Sequence, residues 1–197
     1  TPYTSFESPK FLFNTEENRA FVAELKDYYN KGYFTTKALN GNTYTSKLFN
    51  EGAKKDTLRC YMCIGSTGGS SYQAPAQTGG TDPFEVGVAM IPQETKNEAD
   101  YKVLQQGPSI CLFKQSDPQE VAASWLLAKF LTTSIGYQVE SSLANGYTPV
   151  IKTALQNDYF AEQLEAAKVS TLNADLQAKT IAQALDQTDW YYTSPAF

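Results

Sequence analysis

The chain contains no histidine. That removes the commonest general base, the usual partner of a nucleophilic Ser or Cys, and a favoured zinc ligand, so most hydrolase mechanisms lack a central group. Basic residues are also few. Sixteen Lys and Arg against 21 Asp and Glu leave a formal charge of −5, with no Lys/Arg run, which argues against a nucleic-acid partner. Nothing approaches the roughly 18 consecutive apolar residues of a membrane span. Cysteine is limited to Cys60, Cys63 and Cys111, an odd count that gives no sign of a disulfide scaffold. Asp, Glu and Asn are scattered without the close spacing of a calcium loop, so neither a metal site nor a cofactor is expected.

What is present is a folding composition. The 197 residues are 42% apolar and 19% charged, with 13 Tyr and 11 Phe, which is too aromatic for disorder. The length allows one large domain or two small lobes. The chain opens at Thr1-Pro2-Tyr3 without an initiator Met or signal segment, and closes at Tyr192-Thr193-Ser194-Pro195-Ala196-Phe197 without a terminal helix or polar tail. A portion of a longer protein is expected.

Helix signals are clear. Asn14 and Glu17 read as a capping box, followed by an apolar face of Phe21, Leu25, Tyr28 and Tyr29 and a stop at Gly32. Residues 45–52 read as a short helix. Asp117-Pro118-Gln119-Glu120 opens the best-marked helix, with Val121, Trp125, Leu126, Ala128 and Leu131 facing inward. Further helices are predicted over 133–143, 158–167 and 176–185, with a break at 146–150. Strands are predicted at 58–64, 84–91, 101–104 and 109–113. Strands alternating with helices indicate an α/β class. Cys60-x-x-Cys63 falls in the first predicted strand, where thiols three apart point to opposite faces and read as buried structural cysteines.

The strongest local chemistry is the strand running into Gly65-Ser66-Thr67-Gly68-Gly69-Ser70-Ser71. Glycines let a backbone approach a ligand closely, and three hydroxyls at Ser66, Thr67 and Ser70 add donors and acceptors. The same run reads equally as a flexible turn. It is not a phosphate-binding Walker loop, since no Lys follows, and not a dinucleotide fingerprint. Ser70 lacks the second Gly of a nucleophile elbow and has no His to activate it, so no catalytic residue is assigned. Trp190-Tyr191-Tyr192 could stack on a sugar ring or belong to a core.

The ordered set 64–72, Phe84 to Pro92, Gln106-Gly107-Pro108-Ser109, Asp117 to Trp125 and Gly146-Tyr147-Thr148-Pro149-Val150 resembles the extracellular solute-binding proteins that feed carbohydrate-type ABC importers, including maltose and glycerol 3-phosphate binders. The resemblance runs from about Phe13 to Phe197. It implies a periplasmic-binding-protein-like (type II) two-lobed α/β fold, here incomplete. Residues 1–85 and 143–197 would be the C-terminal lobe, 86–92 a hinge crossing, and 93–142 the returning part of the N-terminal lobe.

It also implies a non-catalytic receptor, located outside the cytoplasm as a cell-surface lipoprotein or in the periplasm. Such a receptor closes on a small hydrophilic solute and hands it to ABC permease subunits. Carried over residue by residue, the ligand contacts would be Ser66, Thr67, Gly68, Gly69 and Ser70, then Gln106 and Gly107, then Trp190 or Tyr192. Glycerol 3-phosphate binders have a similar Gly/Ser-rich turn where sugar binders often have Trp, which favours a phosphate-bearing or polyol ligand. The rival readings are a surface or adhesin-like domain that kept the fold without transport, and a hydrolase using Ser70.

Overall fold

A first helix, α1 (Glu16–Asn30), begins where the Thr15 hydroxyl accepts the Asn18 N–H at 3.2 Å. The cap thus sits one residue after the predicted Asn14, whose side chain instead accepts from the Arg19 guanidinium at 2.9 Å. At the other end Gly32 takes φ +75°. The N–H groups of Gly32 and Tyr33 then reach back to the carbonyls of Tyr29 and Tyr28, at 3.0 and 2.9 Å. This is a Schellman stop, which glycine permits because it has no Cβ.

The structure is a computed structural model that describes residues 13–51 and 60–193. The readings made above at residues 1–12, Gly52, Leu58, Arg59 and 194–197 lie outside the described residues.

After α2 (Ser46–Asn50) comes a 3-10 helix, Thr67–Gln73, inside the Gly/Ser segment. The marked start at Asp117 holds: its carboxylate accepts the Gln119 N–H at 2.8 Å, and Pro118 opens α3 (Pro118–Thr133). Ser134 caps α4 (Ile135–Asn145), and α5 (Lys152–Leu155) follows the turn at Gly146. Asn157 caps α6 (Asp158–Val169) by accepting the Phe160 N–H at 3.1 Å. The last helix, α7 (Leu176–Leu185), has the predicted bounds.

The core lies where α4 to α7 meet. Val139, Ala154, Phe160, Leu164, Ile181 and Ala182 form one buried cluster, flanked by Leu143, Ile151, Ala178 and Leu185. Removing a side chain such as Phe160 or Ile181 from water contributes about 1.5–3 kcal/mol each. The outer end of the molecule is different. On α3, which packs on α4, the partly covered residues are Ser124, Ala128, Leu131 and Thr132. Val121, Trp125 and Leu126, predicted to face inward, are exposed, Trp125 by 58%. The one-residue link at Ser134 brings the positions at i, i+4 and i+7 from Ser124 against α4, and turns the rest of the apolar surface outward.

Sheet is scarce. Among the described residues it consists of β1 (Val103–Gln105) and β2 (Tyr191–Thr193), paired in parallel with Val103 opposite Tyr191. Among the described residues the remaining predicted strands carry no strand pairing. In the first, Tyr61 and Met62 are exposed; in the last, Phe113 is 83% exposed. A strand needs a neighbour to pair its backbone groups, and an apolar run without one does not become a strand. The thiols also depart from expectation: Cys60 and Cys63 are half-buried, Cys111 is exposed, and all three are free.

Side-chain amides take the place of ladder bonds along 84–91. Asn173 accepts the Val86 N–H at 2.9 Å and donates to the Phe84 carbonyl at 2.8 Å. Gln187, also buried, accepts the Ile91 N–H at 3.2 Å. This extended connection is therefore fastened at both ends to the α7 region.

Candidate functional site

The Gly/Ser segment is wound, not loose. Ser66 is exposed with extended backbone, and the 3-10 helix from Thr67 packs against α2, α4 and α7. Thr67, Gly68 and Gly69 are half-buried, and Ser70 is buried at 6% exposure.

The turn that ends α4 lies directly against it. Gly146 adopts φ +75°, and a Cβ there would fall 2.6 Å from the Thr67 carbonyl oxygen and 2.9 Å from Ser70 Oγ. Only glycine satisfies both the left-handed backbone and the close approach. The next residue, Tyr147, lays its ring over Gly68, where a Cβ would sit 2.2 Å from the ring Cζ. Gly68 is thus a contact surface for an aromatic ring, whereas Gly69 faces open space. Tyr147 remains 56% exposed, so the ring offers surface beside the Gly/Ser segment. Sequence reasoning read 146–150 as a break or short extended piece and as one segment of the family resemblance, and did not assign Tyr147 to the site. The one available signal was an aromatic residue directly after a helix-ending glycine.

The other candidates gather around β1 and β2. Gln106 and Gly107 follow β1 directly and are exposed. The backbone of Tyr192 stands opposite Leu104; its side chain lies outside what the structure describes. Trp190 is half-buried, edge-on to Tyr101 with ring centroids 4.8 Å apart, so one of its edges is used in packing. α7 packs on the Thr67–Gln73 helix and leads through Thr188–Trp190 into β2. One helix therefore carries both groups.

The chemistry available is polar and neutral. Residues 65–81 hold no Lys, Arg, Asp or Glu, the first charged residue after them being Asp82. The nearly covered side chain of Lys179 on α7 pairs with Glu85 at 3.7 Å. Ser70 Oγ is buried without a hydrogen-bond partner in the protein, so no base is placed to take its proton. Burial pushes the Cys60 thiol above its ordinary pKa, the opposite of an activated nucleophile. Among the described residues no cluster of three or more His, Cys, Asp or Glu could hold a metal ion. No described helix is long and apolar enough to cross a membrane. A shallow surface concavity of about 470 Å³ is lined by Thr15, Glu16, Glu17 and Ala20, none of them a candidate.

A family profile described as bacterial extracellular solute-binding protein matches residues 4–171. The chain belongs to that family. Membership in the extracellular solute-binding proteins implies an extracytoplasmic location, a small solute as ligand, an ABC permease as partner and a periplasmic-binding-protein-like fold. The helix-rich architecture with little sheet is consistent with part of such a domain. No curated protein and no solved structure matches the chain. Members of this family generally bind without turnover.

Proposed function

We propose that this solute-binding protein is a non-catalytic receptor that takes up a small hydrophilic solute, namely a sugar, a polyol or a glycerol phosphate. It holds the solute in a cleft between two lobes of a type II binding fold and delivers it to its permease. Residues 1–85 and 143–197 form one lobe, 86–92 cross the hinge, and 93–142 return from the other. A cell-surface lipoprotein or a periplasmic protein suits this role.

The observation that carries the reading is the seating of Tyr147 on Gly68. A half-exposed phenol ring beside a run of hydroxyls and open backbone is the pairing that polyhydroxylated solutes require: an apolar face for their C–H surface and polar groups at its rim. Ser66, Thr67, Gly68, Gly69 and Ser70 supply the polar rim in this reading. Gln106, Gly107, Trp190 and Tyr192 supply the opposite wall. Closure follows if the solute touches both groups, because a ligand shifts a two-state equilibrium only by its differential contacts.

A thermal-shift panel of oligosaccharides, polyols, glycerol 3-phosphate and glycerophosphodiesters tests it. A true ligand at 100-fold over its dissociation constant adds about 2.7 kcal/mol of stability. Tyr147→Ala should abolish that shift while leaving the unliganded melting temperature nearly unchanged. A shift that survives Tyr147→Ala removes the residue from the site.

A further inference from the structure

Among the described residues three buried side-chain oxygens have no hydrogen-bond partner: Asn50 Oδ1, Ser70 Oγ and Gln73 Oε1. Two sit on the Thr67–Gln73 helix and the third on α2, which packs against it. Ser70 and Gln73 lie on the Thr67–Gln73 helix, and a 3-10 helix of about 3.0 residues per turn puts residues three apart on the same face. Asn50, the last residue of the adjoining α2, donates its amide to the Tyr72 carbonyl at 2.8 Å, which fixes its oxygen as the unpaired end beside Gln73.

More than nine in ten buried polar groups find a partner, so three orphans about one short helix call for an explanation. Each can accept a hydrogen bond; the two amide oxygens can do nothing else. Among the described residues no cation accompanies them in 65–81, and Lys47 of α2 is exposed. An anion would meet two amide oxygens that can only accept, with the Ser70 hydroxyl as the one donor among the three groups.

We propose that Asn50, Ser70 and Gln73 form a subsite for hydrogen-bond donors of the solute, hydroxyl or ammonium groups and not phosphate oxygens. The subsite rests on the receptor reading above and narrows it, against the phosphate ester that the Gly/Ser turn favoured by resemblance. Asn50 and Gln73 enter the site through this argument alone. Their exposure to ligand requires α2 to shift on the Thr67–Gln73 helix, and α2 is suited to that: five residues long, with no side-chain cap and no buried residue.

The test compares wild type with Asn50→Leu and Gln73→Met by thermal shift. The probes are maltotriose, sorbitol, glucosamine and glycerol 3-phosphate. The expected result is that maltotriose, sorbitol or glucosamine stabilises wild type and that each variant loses at least about tenfold in affinity for the same probe. Without solute Gln73→Met should melt at the wild-type temperature or above it, because an unpaired buried oxygen has been removed, whereas Asn50→Leu also loses the donor to the Tyr72 carbonyl and is read by its affinity alone. Stabilisation by neutral probes identifies hydroxyls as the donors, and stabilisation by glucosamine alone identifies the ammonium.

Three results overturn the proposal and leave the receptor intact. They are a shift with glycerol 3-phosphate alone, variants that keep full wild-type affinity, or a Gln73→Met variant that melts lower without solute, as expected if a water of the fold serves these oxygens. If no probe stabilises wild type, the receptor reading for these solutes fails and the subsite with it.

Discussion

Asn173 holds Val86 by a two-point amide clasp. Its Oδ1 accepts the Val86 N–H and its Nδ2 donates to the Phe84 carbonyl, at 2.9 and 2.8 Å. Both Asn173 and Val86 are buried. A side chain here does what an adjacent strand would otherwise do for a connecting segment. Asn173→Leu leaves a buried donor and an acceptor unpaired, at about 1–3 kcal/mol for each group so stranded. Urea unfolding should show a loss of about 2 kcal/mol or more, and Asn173→Asp, which keeps the acceptor only, should also destabilise. A loss below about 0.5 kcal/mol for Asn173→Leu would mean that the clasp contributes little.

The two glycines at the candidate site should respond differently to an added methyl. At Gly146 the methyl meets the Thr67 backbone and a left-handed conformation, and neither can yield cheaply. At Gly68 it meets the end of an exposed tyrosine, which can swing away. Gly146→Ala should therefore cost stability, about 1–2 kcal/mol from the backbone alone. Gly68→Ala should leave the melting temperature close to wild type and weaken solute binding by displacing Tyr147. Equal stability losses would show that the Tyr147 ring is held as firmly as the backbone.

Tyr191 gives the fold an alkaline limit. Its hydroxyl donates to the Ala184 carbonyl at 3.0 Å, and burial pushes its pKa above the ordinary tyrosine value. The folded state then holds the phenolic proton more tightly than the unfolded chain. Its contribution is complete below the unfolded pKa of about 10 and is lost as pH rises through the folded value. Wild type should lose stability above about pH 10 more steeply than Tyr191→Phe, which cannot ionise. At neutral pH the variant should give up about 1 kcal/mol for the missing hydrogen bond. Parallel pH–stability curves would rule out this residue as a source of the alkaline loss.

Helices were far more legible than strands, and the particular residues show why. Asp117-Pro118, Gly32 and the 176–185 pattern are local devices: a cap, a stop and an apolar periodicity act within one or two turns. The strands predicted at 84–91 and 109–113 had suitable composition, but pairing is a long-range matter. The first is held by amides from Asn173 and Gln187, and the second has no strand beside it. The site was half legible for the same reason. Glycine and serine in 65–71 were visible as a special backbone, while Tyr147 and Asn50 reach it only through contacts between distant segments.

By itself the sequence determined the class of molecule. The missing histidine and the net negative charge argue against hydrolytic and nucleic-acid roles, the ordered set of short signatures resembles the extracellular solute-binding proteins, and membership in that family agrees. It also determined most helix positions, since caps and periodicity are set by nearest neighbours. Only the tertiary structure decided that the Gly/Ser run is a packed 3-10 helix, that Tyr147 rests on Gly68, and that three oxygens around that helix stand unpaired. Those facts depend on which segments meet. Burial and pairing belong to contacts between residues far apart in the chain, and no local pattern encodes them.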